Sequence, residues 1–333
     1  MSAWVDANWQ YRGLQVVRME NEVLYLDVLP ELGAKIWSLV HKPTGRSLLW
    51  HNPHLPPARQ VYGARFDDNW SGGWDELIPD DVPTVVRYGD TLPDHGEVWS
   101  QPSELEVLSA EGNAVAVKFI NYGRVLPTRF EKTISLSAGD SCFRVSYRYQ
   151  NLGHGPIEFL WNIHPALVVS PATRLDVPAR RVISDPWSAD RVEPHSEHMW
   201  PYVSDRAGQT LDLRFVPPRS DYADFYYLPD VSAGWYAATD TDSRIGFGLA
   251  FPTAVFPHMW LFRPVGGWRG LYTLILEAST GYPSNLAVAR EQGHCSRLVP
   301  GEALEAEVSA VVYTGVTSVK AIGADGRVIP GDE

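Results

Sequence analysis

Cysteine is almost absent: Cys142 and Cys295 are the only two in 333 residues, far apart and without the paired spacing of a metal knuckle. That excludes a disulfide framework and a cysteine zinc site, and it fits a reducing compartment, so a cytoplasmic location is expected. Positive charge is scarce as well, with 28 Lys and Arg against 40 Asp and Glu and a formal net charge of −12. Such a surface repels phosphate backbones and anionic lipid, so neither a nucleic-acid nor a membrane partner is expected. Long hydrophobic runs are missing too. No stretch approaches the ~20 apolar residues of a membrane span, and the start, MSAWVDANWQYRG, lacks the basic-then-apolar pattern of an export signal. Nor does any segment of ten or more residues carry a helical apolar stripe, while 27 Gly and 26 Pro punctuate the chain throughout.

What the chain has is aromatic side chains and short alternating runs. A hydrophobic share of 44% with 20% charged residues is ordinary for a globular protein, but 13 Trp and 15 Tyr are unusually many. Sugar rings present C–H faces that stack on indole and phenol rings, although strands and cores favour aromatics as well. Runs such as LYLDV, AVAVKFINYG and FRVSYRYQNLG alternate with a period of two. In the last, Phe143, Val145, Tyr147 and Tyr149 share one face and Arg144, Ser146 and Arg148 the other, the pattern of a half-buried antiparallel strand. RIGFGLAF, GLYTLILEAS and ALEAEVSAVVYTG repeat it. The expectation is an all-β protein, with one large sandwich favoured because strand spacing continues from about residue 13 to about residue 315 without a linker.

Polar residues concentrate in four places. DDNWSGGWDELIPDD, Asp67 to Asp81, is too rich in Gly, Trp and acid for a strand and is expected to be a long loop, either binding or merely solvated. PDHGEVW holds His95 in a turn between Asp94 and Gly96, a position that is often surface decoration. In EFLWNIHPALVV, Asn162 and His164 interrupt an apolar strand, where a lone His is more often a satisfied core residue than a functional one. LEASTGYPSNL carries Glu277, which points away from the face that buries Leu274 and Leu276.

A carboxylate with two histidines in a neutral, aromatic, all-β setting suits proton transfer on a sugar, with no metal or other cofactor required. The chain has no Gly-x-Ser-x-Gly elbow, no phosphate-cradling Gly-rich loop before a helix and no His-Glu-x-x-His helix. The paired carboxylates of a glycosidase stay open, since Asp and Glu are plentiful.

GAKIWSLVHKPTGRSLLW, HGEVW, NIHPAL, DYADFYYL and LILEASTGYPSNL, in this order and followed by LVPGEALEAEVSAVVYTG, resemble the aldose 1-epimerase (galactose mutarotase-like) superfamily over nearly the whole chain. The resemblance implies a β-supersandwich of two large, mainly antiparallel sheets, a single carbohydrate-binding domain over residues 1–333. It implies that Glu277 is the base that takes the anomeric hydroxyl proton, that His164 is the acid that protonates the ring oxygen, and that His95 helps hold that oxygen. Asp224 would hydrogen-bond sugar hydroxyls, with Trp74, Glu76, Trp99, Asn162 and Trp260 as further sugar contacts. The pattern departs from typical mutarotases: Ile163 precedes His164 and Pro165 follows it, Ala278 and Ser279 follow Glu277, and Pro283 lies six positions beyond it. The chain is thus expected in an outlying branch. Glu97, Val98 and Trp99 fill the stretch where the hexose-phosphate branch tends to carry an Arg. A neutral aldose is therefore expected rather than a sugar phosphate, with Arg65, Arg87 and Arg263 as the cations that would revise this. A non-catalytic sugar-binding or sensor protein, and a carbohydrate hydrolase or lyase, are the alternatives.

Overall fold

The computed structural model describes residues 2–332, the side chain of residue 87 excepted. Nearly every regular element is a strand; among the described residues the α-helices are the short Phe66–Asn69 and Leu286–Glu291. Among the described residues no helix is long and apolar enough to cross a membrane. The chain forms two compact units, one of residues 2–165 with 280–308 and one of residues 166–279 with 309–332.

In the first unit, Ala3–Tyr11, Leu14–Glu20, Leu24–Leu29, Lys35–His41 and Trp74–Leu77 pair antiparallel in that order, and residues 162–165 add the next strand. A second sheet runs Glu104–Ser109, Ala114–Tyr122, Thr128–Ser137, Cys142–Asn151. Thr128–Ser137 alternates buried and part-exposed positions without a break, and Phe143, Val145, Tyr147 and Tyr149 are buried as their alternation predicts. The two layers meet through aromatics: Trp74 lies 6.0 Å from Phe143 and Trp161 lies 5.0 Å from Tyr147. Each such fully buried side chain contributes about 1.5–3 kcal/mol over an exposed one.

In the second unit, Arg181–Ser184, Ala223–Leu228, His258–Pro264 and Leu274–Ser279 form one antiparallel run. Thr173–Asp176, Trp235–Asp240, Ile245–Ala250 and residues 309–314 form another. Leu274–Ser279 and Ile245–Ala250 are buried on both faces, so their sequences read as unbroken apolar runs.

One expectation fails here. The stretch from Asp67 to Asp81 is not a loop: Phe66–Asn69 is a helical turn and Trp74–Leu77 is an interior strand between Lys35–His41 and residues 162–165. Acid and Gly argued for a loop, but burial of Trp74 and Leu77 and ladder pairing outweigh local composition.

Candidate active site

In the first unit, Lys35–His41, Trp74–Leu77 and residues 162–165 lie side by side, with Ile36 opposite Trp74 and His164 opposite Asp75. Cα partners point to one face, and neighbours along a strand to opposite faces. His164, Asn162, Asp75 and Lys35 therefore share one face, and Trp74, Glu76 and Ile163 the other. Lys35 Nζ lies 3.0 Å from Asp75 Oδ2 and donates to the Gly72 carbonyl at 2.8 Å. Burial raises the Asp75 carboxyl, and the Lys35 ammonium opposes it.

Asn162 is 1% exposed, yet neither atom of its amide has a hydrogen-bond partner among the described residues, and His164 Nδ1 is equally buried and unpartnered. Burying such groups unpaired is costly, so both side chains keep hydrogen-bonding capacity that their protein neighbours do not use. Burial, and then the cations His95 and Lys35, hold the His164 imidazole well below its ordinary range, so it is neutral near pH 7.

His95 is caged. Asp94 Oδ1 stands 2.9 Å from its Nδ1 and Asp81 Oδ1 3.4 Å from its Nε2, while the Phe66 ring stacks on it at 4.2 Å and 13°. Burial alone would lower its pKa, but Asp81 and Asp94 outweigh burial and hold it at about 9, so His95 is an imidazolium near pH 7. The turn is fixed by backbone: His95 N donates to Asp81 O at 2.7 Å and Glu97 N to Ile78 O at 2.8 Å. At Gly96, φ is +84° and a Cβ would sit 2.2 Å from Ile78 O, so only glycine fits. Trp99 Nε1 donates to Asp94 O at 2.9 Å, and the Phe66 ring meets Trp99 edge-on at 5.1 Å and His164 edge-on at 5.6 Å. Phe66 thus stands against His95, His164 and Trp99 together.

Trp74 and Glu76 depart from their expected sugar-contacting role. Glu76 is enclosed between the two layers, accepting from Tyr147 Oη at 2.6 Å, Trp74 Nε1 at 3.0 Å and Trp161 Nε1 at 3.2 Å, with Lys132 Nζ 3.0 Å away. It is a buried ion pair of the core, on the face opposite His164.

In the second unit Glu277 is opposite Trp260, which is opposite Tyr227; Ile275 is opposite Phe262, which is opposite Phe225. Glu277 and these aromatics share one face. The Trp260 ring lies 5.6 Å from Phe225 and 5.4 Å from Tyr227. Asp224 does not share it: opposite Arg263, it belongs to the other face with Leu261 and Leu276. Its Oδ2 accepts from Arg191 at 2.7 Å and Arg263 at 2.9 Å, a buried charge cluster in place of the expected sugar contact.

Sequence reasoning missed Lys35, Asp75, Phe66, Asp80 and Asp81 as site residues. Asp75, Asp80 and Asp81 lay inside the segment read as a loop, and nothing local marks Phe66 or Lys35. Asp80 is buried with neither carboxylate oxygen partnered among the described residues, and burial, then the adjacent Asp81, push it up to about 9. No group of three or more His, Cys, Asp or Glu among the described residues is arranged to hold a metal ion.

Comparison with known proteins agrees with this architecture. No curated protein matches the chain. A family described as a domain of unknown function, DUF5107, matches residues 6–73. Among solved structures, the Slr1438 protein from Synechocystis sp. PCC 6803 is 18% identical, with 92% of this chain and 99% of that one covered and a TM-score of 0.68. A protein from Klebsiella pneumoniae provisionally assigned as an aldose 1-epimerase is 12% identical, covering 93% and 83% with a TM-score of 0.72. A galactose mutarotase-like protein from Clostridium acetobutylicum is 10% identical, covering 94% and 99% with a TM-score of 0.67. These define the class: an all-β protein with large antiparallel sheets and the galactose mutarotase-like fold. The low identities set it well apart from those structures.

Proposed function

We propose that the protein is an aldose 1-epimerase-like isomerase acting on a free, neutral aldose. The observation that carries this reading is the buried, unpartnered amide of Asn162 and Nδ1 of His164, on one strand face, with His164 against the Phe66 ring that stacks on His95. Glu277 takes the proton of the anomeric hydroxyl while the ring oxygen receives one, and the bond between C1 and that oxygen breaks. The open-chain aldehyde rotates about C1–C2 and closes to the other anomer, returning both protons. We assign the donated proton to His95 rather than to His164, because His95 is the imidazole protonated near pH 7. Its 3.4 Å contact with Asp81 is loose enough to be exchanged for a ring oxygen. Neutral His164 and Asn162 hydrogen-bond the sugar. Arg263 is engaged by Asp224 on the face away from Glu277, and Arg65 pairs with Asp68 at 3.5 Å at the surface, which favours a neutral sugar over a phosphate; the side chain of Arg87 lies outside those described. Neither cysteine forms a disulfide, which fits a cytoplasmic setting.

The test is the decay of optical rotation of freshly dissolved α-anomers of glucose, galactose, xylose, arabinose, fucose and rhamnose. Acceleration of at least one is expected, with Glu277→Gln losing a factor of about 10² to 10⁴, roughly 3–5 kcal/mol of transition-state stabilisation, while sugar binding survives. Binding without acceleration by the wild type would make this a sugar-binding protein. Full activity in Glu277→Gln would remove the carboxylate from the mechanism.

A further inference from the structure

The aromatic face that carries Glu277 does not end at buried rings. Trp187, in the turn Pro186–Ser188, is 49% exposed and packs edge-on against Phe262 at 5.6 Å and Trp268 at 5.9 Å, each at 81°. Phe262 and Trp268 lie 5.4 Å apart, and Phe262 reaches Trp260, the partner of Glu277, through Phe225 at 5.9 and 5.6 Å. Single exposed apolar side chains are ordinary on protein surfaces. Two indoles in contact, with their planes fixed and in continuity with a buried carboxylate's face, are not that case.

Both loops are held in place. Asp185 caps the Trp187 turn by accepting from Trp187 N at 2.8 Å, and its other oxygen accepts from the Tyr227 hydroxyl. The segment bearing Trp268 is clamped: Ser220 N donates to Val265 O at 2.7 Å, Gly267 N to Tyr222 O at 3.2 Å, and the Tyr272 hydroxyl to Pro217 O at 2.7 Å. Gly266 has φ +133°, and a Cβ there would sit 2.1 Å from Ser220 O, so this close approach demands glycine. Rings ordered before binding lose little entropy on binding, as a stacking platform requires.

We propose that Trp187 and Trp268 form a second carbohydrate subsite, so that the sugar presented to Glu277 is the reducing end of a disaccharide or longer glycan. This rests on the reading above that the Glu277 face takes an aldose. The preceding unit lays its C–H face on one indole and meets the other at its edge, since the two planes stand at 81°, while the reducing unit keeps the free anomeric hydroxyl that Glu277 needs.

The test is calorimetric titration with lactose, maltose, cellobiose, melibiose and xylobiose, each compared with its own reducing-end monosaccharide. At least one disaccharide is expected to bind about tenfold more tightly than its monosaccharide, the gain from one stacked ring. Trp187→Ala and Trp268→Ala should each cancel that gain and leave monosaccharide Kd within about twofold, and Trp187→Phe should keep most of it. Monosaccharide binding with no disaccharide gain overturns the subsite alone. So does Trp187→Ala weakening mono- and disaccharide equally. Failure of every sugar to bind overturns both the subsite and the reading beneath it.

Discussion

Asp224 and Glu277 stand on opposite faces of one sheet, on strands separated by His258–Pro264, so one sugar ring cannot touch both directly. Asp224 instead neutralises Arg191 and Arg263, and Arg263 is itself buried. Asp224→Ala should therefore cost about 3–5 kcal/mol of stability, because it leaves an uncompensated buried guanidinium. Urea denaturation reads the loss, and sugar affinity of the folded fraction should be unchanged. A stable variant with weakened sugar binding would return Asp224 to the site.

Asn162 predicts the converse. Its amide has no partner among the described residues to lose, so Asn162→Ala should change stability by no more than about 1 kcal/mol while weakening aldose binding about tenfold. Thermal melts and calorimetry on the same preparation separate the two effects.

The His95 cage sets a pH dependence. Held at about 9 by Asp81 and Asp94, His95 stays protonated through neutral pH, so kcat/KM should fall on the alkaline side with a midpoint near 9. Were imidazolium His164 the acid, the fall would come below pH 6.5, since burial, His95 and Lys35 all lower it. Stability follows the same sign: the raised His95 pKa stabilises fully below pH 6.5, and that contribution is lost as pH rises through about 9. His95→Gln should remove the alkaline limb of both profiles.

Asp80 has the opposite consequence to an ordinary paired carboxylate. Its folded pKa of about 9 exceeds the ordinary 3.8, so the unfolded chain ionises first and stability falls as pH rises between those values. Asp80→Asn keeps the shape and removes the ionisation. Its melting temperature should exceed that of the wild type at pH 8, with the gap narrowing toward pH 4. A gap independent of pH would mean that Asp80 is ionised in the folded protein.

Much of this was legible in the chain because alternation is a local property. Phe143 to Tyr149 needed only their spacing to be read as a half-buried strand, and Gly96 is demanded by a contact that leaves its trace in the motif HGEVW. The segment from Asp67 to Asp81 misled because acid and glycine mark loops on average, whereas here Trp74–Leu77 is fixed by partners far away in sequence. Phe66 left no trace, since its contacts with His95, Trp99 and His164 come from segments about 30 to 100 residues downstream.

The sequence by itself determined the all-β class, the period of each strand and the short list of groups able to move a proton. Only the tertiary structure decided which side of each strand is which. Glu76 and Asp75, or Asp224 and Phe225, are adjacent residues that alternation sends to opposite faces, and both faces of these strands are buried. With no polar side to mark solvent, composition cannot tell core from site. That assignment comes from what packs against each face: Lys132, Tyr147 and Trp161 close over Glu76, while Lys35 and His164 flank Asp75.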